Sequence, residues 1–244
     1  MCAHYHLALV RWLLGYPDQA LIALHEATSL AEEIAHPLTT IITLTFTSWV
    51  HYQRGERAAA RDHARRNVAL AERQGFDAWV DDGLAVLACV GAQSGAEALS
   101  GLQRLVAPRG RAAWRNVISL CLFAESFGRL GEPDKGIEAL DLVPAEHREI
   151  IFAPEMQRIR GDLLLERGES SAGEHYLRQA IELARARSER SFELRAATSL
   201  ARLLHDRGKR DEAREVLAPI YGWFTEGFDT KDVRAARDLL GVLT

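Results

Sequence analysis

Five glycines and one glutamine recur along this chain at nearly even spacing. Gly15, Gly55, Gln93, Gly131, Gly168 and Gly208 are separated by 40, 38, 38, 37 and 40 residues. Three other positions keep step with them. Five residues after each stands a small residue: Ala20, Ala60, Ala98, Gly136, Gly173 and Ala213. Nine after come Leu24, Ala64, Leu102, Leu140, Leu177 and Leu217, and seven before come Ala8, Ser48, Val86, Ala124, Gly161 and Ala201. A period of this length marks a chain built from repeated supersecondary units.

The residue types specify the unit. A glycine at the end of a helix takes the left-handed cap conformation without a Cβ clash. Small residues on both sides of the bend let two antiparallel helices approach to about 8 Å. The leucine one turn on fills the space between hairpins, stabilising by about 1.5–3 kcal/mol when fully buried. One hairpin cannot cover its own apolar faces, so the hairpins must stack. "LLGYPDQAL" at 13–21 therefore reads as a bend and not as a phosphate loop. Pro17 falls in the first turn of the second helix, where its missing N–H costs little, and Asp18 suits the positive helix end.

The pattern predicts six hairpins. Their first helices span about 3–14, 38–53, 78–91, 112–129, 154–167 and 190–207, and their second helices about 17–35, 57–74, 95–107, 134–143, 171–187 and 210–225. The repeats run about 1–36, 37–76, 77–110, 111–145, 146–188 and 189–228 of a single domain. A last amphipathic helix within 229–244 is expected to seal the end of the stack. The stretch "DLVPAEHREIIFAPEMQ" at 141–157 departs from a plain helical run. "QGFDAW" at 74–79 and "EGFDTK" at 226–231 share a glycine stop, a phenylalanine expected to be buried, and an aspartate placed to cap the next helix. The first hairpin starts without a polar cap, which suggests that upstream sequence covers it and offers a route to oligomers.

Composition excludes several classes of function. The 30 cationic residues, nearly all arginine, meet 34 acids, for a net charge of −4. That balance predicts no general attraction to nucleic acid or anionic lipid. Cys2, Cys89 and Cys121 are too widely spaced for a disulfide framework or a metal knuckle, which fits a reducing cytoplasm. No secretory signal is visible, and "IITLTFTSWV" is too short and too rich in threonine to span a bilayer.

No motif carries catalysis. "GESSAGEH" at 168–175 has glycines five apart but no Gly-Lys-Ser/Thr, and Ala172 stands where a nucleophile elbow needs glycine. Cys2 and His6 share a helical face but supply only two of the three or four ligands a metal needs. Arg57, Arg61 and Arg65 form a basic stripe that reads as a solvated outer face beside Glu56 and Asp62. No catalytic residue, cofactor or metal site is expected.

A bend glycine, a small residue five on, a bulky apolar residue four later and a further apolar or small residue three after that resembles the tetratricopeptide (TPR) signature. Gly15, Ala20, Leu24 and Ala27 carry it in the first repeat, and Gly208, Ala213, Leu217 and Ile220 in the last. Residues 6–21 and 193–232 are similar to the C-terminal TPR region of large bacterial signalling proteins. Those proteins join a STAND-type ATPase module to an adenylate/guanylate cyclase or a LuxR-type DNA-binding domain. The resemblance implies an all-α, right-handed α-solenoid, working as a non-catalytic interaction or regulatory scaffold in such a protein. The implied partner is a protein or peptide, which includes other domains of the same polypeptide. The alternative is a small-molecule sensor holding its ligand in the concave groove.

In TPR stacks the residues ten, six and three before the bend line the concave surface. By this resemblance the groove runs from Tyr5, Trp12, Trp49 and Tyr52 at one end to Arg158, Arg202 and His205 at the other, with Arg195 and Glu155 one turn outside. Aromatic and arginine side chains are the usual anchors of peptide interfaces. Trp12 and Trp49 either line that groove or pack against neighbouring hairpins. The asparagine of chaperone-tail-binding TPRs, expected six before the bend, is absent.

Overall fold

The computed structural model describes residues 2–91, 100–103, 113–144 and 152–244. Everything regular in them is helical, and no strand occurs among the described residues. The helices are α1 (Cys2–Leu13), α2 (Pro17–Ile34), α3 (Pro37–Arg54), α4 (Arg57–Gln74), α5 (Asp77–Gly91), α6 (Ala113–Arg129), α7 (Pro133–Asp141), α8 (Ala153–Glu166), α9 (Ser170–Ala186), α10 (Arg190–Asp206), α11 (Arg210–Tyr221) and α12 (Lys231–Val242). Residues 100–103 are helical as well. The bend at Gln93, its small partner Ala98 and residues 145–151 of the 141–157 stretch lie outside the described residues.

The other five bends share one geometry. Gly15, Gly55, Gly131, Gly168 and Gly208 all have φ between +72° and +90°. In each, the amide after the glycine donates to the carbonyl five residues earlier: Tyr16 to Arg11, Glu56 to His51, Glu132 to Phe127, Glu169 to Leu164 and Lys209 to Leu204, at 2.8–2.9 Å. This is the glycine-terminated helix end in which the outermost N–H reaches back to an orphan carbonyl. It lets the chain reverse without stranding backbone groups. The small positions do what the periodicity requires of them. Ala8, Ala20, Ala60, Ala124, Ala201 and Ala213 are fully buried. A Cβ added at Gly173 would stand 2.6 Å from the Leu165 side chain and 3.0 Å from the carbonyl of Gly161.

The close fit at these positions predicts the cost of filling one. Ala213→Leu should lower stability by about 1–3 kcal/mol through overpacking between α10 and α11. Thermal unfolding of the variant checks this, and a midpoint equal to wild type would contradict the register.

Successive helices pack pairwise along the chain, from α1 on α2 through α10 on α11. Two further contacts were not foreseen: α1 packs on α10, and α12 packs on α3. The two ends of the helical string therefore meet. Helix α12, expected to seal the end of the stack, lies against α10 and α11 and also bridges to α3 of the second hairpin.

The seam explains three glycines at once. A Cβ on Gly15 would lie 2.6 Å from the Trp223 ring and 2.8 Å from Arg190 Cβ. One on Gly55 would lie 2.7 Å from Lys231 Cβ, and one on Gly227 only 2.1 Å from Pro17 Cγ. Polar contacts complete it. Glu226 accepts from the amides of Asp18 (2.8 Å) and Gln19 (3.1 Å), capping α2 from across the chain, while Gly227 N donates to Asp18 (2.9 Å). A carboxylate at a helix N-terminus satisfies orphan amides and complements the macrodipole. Ser191 Oγ donates to the carbonyl of Trp12 at 2.5 Å.

The seam also changes the reading of "EGFDTK". Gly227 does turn the chain, with φ of +71°, but Phe228 is 49% exposed and Phe224 takes the buried place. Thr230, not Asp229, occupies the position before α12, and Asp229 faces Arg54 at 3.6 Å. Helix α11 stops at Tyr221, four residues short of expectation. The chain leaves the helix there so that Trp223 can reach the Tyr16 ring (5.3 Å) and lie beneath Arg190.

Candidate functional site

The inner face divides into an aromatic half and a charged half. In the aromatic half Trp12 and Trp49 meet edge to face at 5.2 Å. Trp12 also meets Phe192 at 5.4 Å, Trp49 meets Phe152 at 5.4 Å, and the two phenylalanines meet at 5.3 Å. Four rings thus close a cycle in the favoured tilted arrangements. Trp12 is 2% exposed and Trp49 4%. Tyr5, stacked on Phe46 at 4.8 Å, and Tyr52 are buried as well.

The expected open aromatic groove is therefore not what these residues form. Tyr5, Trp12, Trp49 and Tyr52 are buried, and Phe152 and Phe192 pack against the two tryptophans. Those two phenylalanines were missed. Their signal was available, since each stands sixteen residues before the bend of its repeat, at 168 and 208.

The charged half begins where Tyr52 donates to Glu125 (2.9 Å) and accepts from Arg129 (3.1 Å). Arg158 holds Glu155 with both Nε (2.8 Å) and Nη2 (2.9 Å) and reaches Asp162 with Nη1 at 2.6 Å. Arg195 donates to Glu155 (2.8 Å), to Asp232 of α12 (2.7 Å) and to the carbonyl of Gln53 (3.1 Å). Its guanidinium lies 5.0 Å from the centre of the Trp12 ring, joining the two halves. Lys231 approaches Glu125 at 3.9 Å. Four cations (Arg129, Arg158, Arg195, Lys231) thus face four carboxylates (Glu125, Glu155, Asp162, Asp232).

The balance shows in the proton affinities. Burial alone would push the Glu155 carboxyl up, but Arg158 and Arg195 outweigh it and hold it below its ordinary range. Glu125 is pulled far down against the same burial effect by Lys231, Arg158 and Arg195. Asp162 is the exception: burial raises it despite the nearby Arg158. Burial also pushes the Cys89 thiol up to about 12, so it stays protonated and unreactive at neutral pH.

Beyond this network the inner face opens. A cavity of about 130 Å³ is walled by Arg158, Asp162, Arg195, Ser199, Arg202 and Asp232. It adjoins a cleft of about 530 Å³ between α8 and α10, to which Glu166, Asp206 and Arg207 contribute. Arg207 is occupied by Glu174. Arg202, Glu166 and Asp206 are exposed and make no ion pair or hydrogen bond among the described residues. Of the expected docking residues, Arg158, Arg195 and Arg202 are brought together here, the first two as walls already paired and Arg202 with its head in solvent. His205 lies half-buried on α10, outside the lining of the cleft.

The remaining motifs behave as structure. In "GESSAGEH" Gly168 is the bend and Gly173 the close contact. Arg57 donates to the carbonyl of Val90 at 2.6 Å, closing the end of α5, while Arg61 and Arg65 are exposed. No group of three His, Cys, Asp or Glu among the described residues could hold a metal ion, and no helix is long and apolar enough to cross a membrane. No known protein family matches the sequence, and no curated protein matches it.

Proposed function

We propose that this chain is a non-catalytic, TPR-like α-solenoid that docks a peptide segment in the cleft between α8 and α10. The observation that carries the reading is the contrast within the inner face. Arg129, Arg158, Arg195 and Lys231 are matched by carboxylates, whereas Arg202, Glu166 and Asp206 point into an open cleft with no partner among the described residues. Unpaired charges cost little in water and gain when a partner of opposite sign displaces that water. Two carboxylates against one guanidinium favour a peptide rich in Lys and Arg that carries an acidic residue for Arg202.

The TPR resemblance supports a place for the chain as the docking or sensing segment of a larger signalling protein, with the peptide supplied by a partner or by another domain of the same polypeptide. A small ligand on the aromatic inner face would have to displace four mutually packed rings, so the sensor reading gains nothing there.

The test uses fluorescent peptides of matched length, basic, acidic and neutral, titrated by anisotropy. The basic set should bind most tightly, and Glu166→Lys combined with Asp206→Lys should weaken it at least about tenfold, or 1.4 kcal/mol, at unchanged helicity. Equal binding by the three sets, or by the double variant and wild type, would remove this cleft from consideration.

A further inference from the structure

The outer side of the first two hairpins carries a matched pattern of charge. Helices α2 and α4 flank a groove floored by α3. Each packs on α3 and is joined to it by a two-residue link, the arrangement of antiparallel neighbours, so α2 and α4 run in the same direction. Ala20, Leu24 and Ala27 of α2 and Ala60, Ala64 and Asn67 of α4 are buried, which turns the opposite faces outward. On α2 that face shows Glu26, Ser29 and Glu33, and on α4 it shows Arg66, Ala69 and Arg73. All six are exposed. Each α4 residue stands forty places after its α2 counterpart, the interval between the bends at Gly15 and Gly55. Steps of three and four residues keep each set on one stripe of its helix.

The two helices are opposite in sign. Helix α2 has four acids and no Arg or Lys; Asp18 is held by Arg54 at 2.9 Å, and Glu26, Glu32 and Glu33 are exposed. Helix α4 sets five exposed arginines against the exposed Asp62 and Glu72. A strip of three negative charges therefore lies beside a strip with an excess of three positive ones. On the two stripes Glu33, Arg66 and Arg73 make no ion pair or hydrogen bond among the described residues, and Glu26 meets the exposed His4 ring at 3.1 Å. The stripes thus do not pair with each other within one chain. Between the two charges of each stripe stands a small residue, Ser29 or Ala69, so the stripe itself holds no bulk that would keep another helix away.

We infer that this face docks a second copy of the chain. A two-fold axis running along the groove, parallel to α2 and α4, lays α2 of each copy over α4 of the other in the same direction and at the same level. Glu26–Arg66 and Glu33–Arg73 pairs then form between the copies, and symmetry makes each of them twice. An isologous contact needs a patch that is its own complement. The shared forty-residue offset of the two pairs supplies that complement, with acid facing arginine at both levels. A different protein would have to reproduce both signs in this register, whereas a second copy brings them by construction. Exposed ion pairs are individually weak and are screened by salt, so the dimer is a weak one and responds to ionic strength.

No residue of the α8–α10 cleft takes part, so the dimer is tested independently of peptide docking. The full chain is followed by sedimentation velocity over a concentration series at two salt levels. At about 10 mM salt the Debye length is about 30 Å, and at about 1 M it is about 3 Å. Wild type should form dimers at the lower salt, with a dissociation constant at least about tenfold higher at the upper one. Glu26→Arg combined with Glu33→Arg should be monomeric, and so should Arg66→Glu combined with Arg73→Glu. Both should keep wild-type helicity, because every change is at an exposed position. Mixed in equal amounts, the two variants should form a heterodimer, since each supplies the charges that the other has lost. Wild type that stays monomeric at low salt, a dimer indifferent to either reversal, or a mixture that remains monomeric would each overturn the proposal.

Discussion

Replacing Arg195 with alanine should remove about 3–5 kcal/mol of stability, the range found when one partner of a buried ion pair is deleted. The size follows from what the guanidinium serves. Nη1 bonds Glu155, Nε bonds Asp232 and Nη2 bonds the carbonyl of Gln53, so one side chain of α10 ties together α8, α12 and the end of α3. Glu155 is only 4% exposed, and without Arg195 it keeps Arg158 alone against its burial. The Trp12 ring loses its cation at the same time. Urea unfolding measures the loss. Arg195→Lys should recover only part of it, because a single ammonium cannot reproduce a planar fork with three acceptors. A midpoint for Arg195→Ala within about 0.5 kcal/mol of wild type, the ordinary scatter of surface changes, would show that this network does not hold the chain ends together.

That network also marks where sequence reading stopped. The bends were legible because each is a local event. A glycine, an alanine five later and a leucine nine later meet within one hairpin, and the same demand is repeated along the chain. Ala20, Leu24 and Gly15 behave as their spacing required. The inner face was legible too, as a set of positions: Trp12, Trp49, Arg158 and Arg195 do point to one side. What lies opposite them was not, because it depends on contacts between residues very far apart in the chain. Ser191 meets Trp12 across 179 positions, and Asp18 meets Glu226 across 208. No periodic pattern reports a pairing made once. Two hints were nevertheless present: the matched register of Phe152 and Phe192, and acids at 125, 155 and 162 set among arginines at 158, 195 and 202. Opposite charges set along one inner surface indicate a network satisfied from within, and only Arg202 escapes it. The difference between an aromatic groove and a filled core therefore rests on Phe152 and Phe192 reaching Trp49 and Trp12 across long separations in the chain.

One buried carboxyl is readable as pH dependence. Glu189 precedes α10, next to the Arg190 that packs on Gly15, and it is 8% exposed. It makes no side-chain cap bond, and its Oε2 meets no donor among the described residues. Burial raises its pKa from 4.5 to about 7, with Arg187 opposing only in part. Between those values the folded chain holds a proton that the unfolded chain releases. The group's favourable contribution is complete below pH 4.5 and fades as pH rises through 7, reaching a cost of about 3 kcal/mol at pH 8. Glu125 and Glu155 act in the opposite sense, since their lowered values make stability fall as pH drops below the ordinary carboxylate range. Comparing Glu189→Gln with wild type cancels that acid branch. The variant should match wild type near pH 4 and exceed it by up to about 3 kcal/mol at pH 8, as measured by urea unfolding at both values. A difference that stays the same at the two pH values would mean that Glu189 ionises freely in the folded chain, and that the packing of α10 against α1 leaves its carboxyl in water.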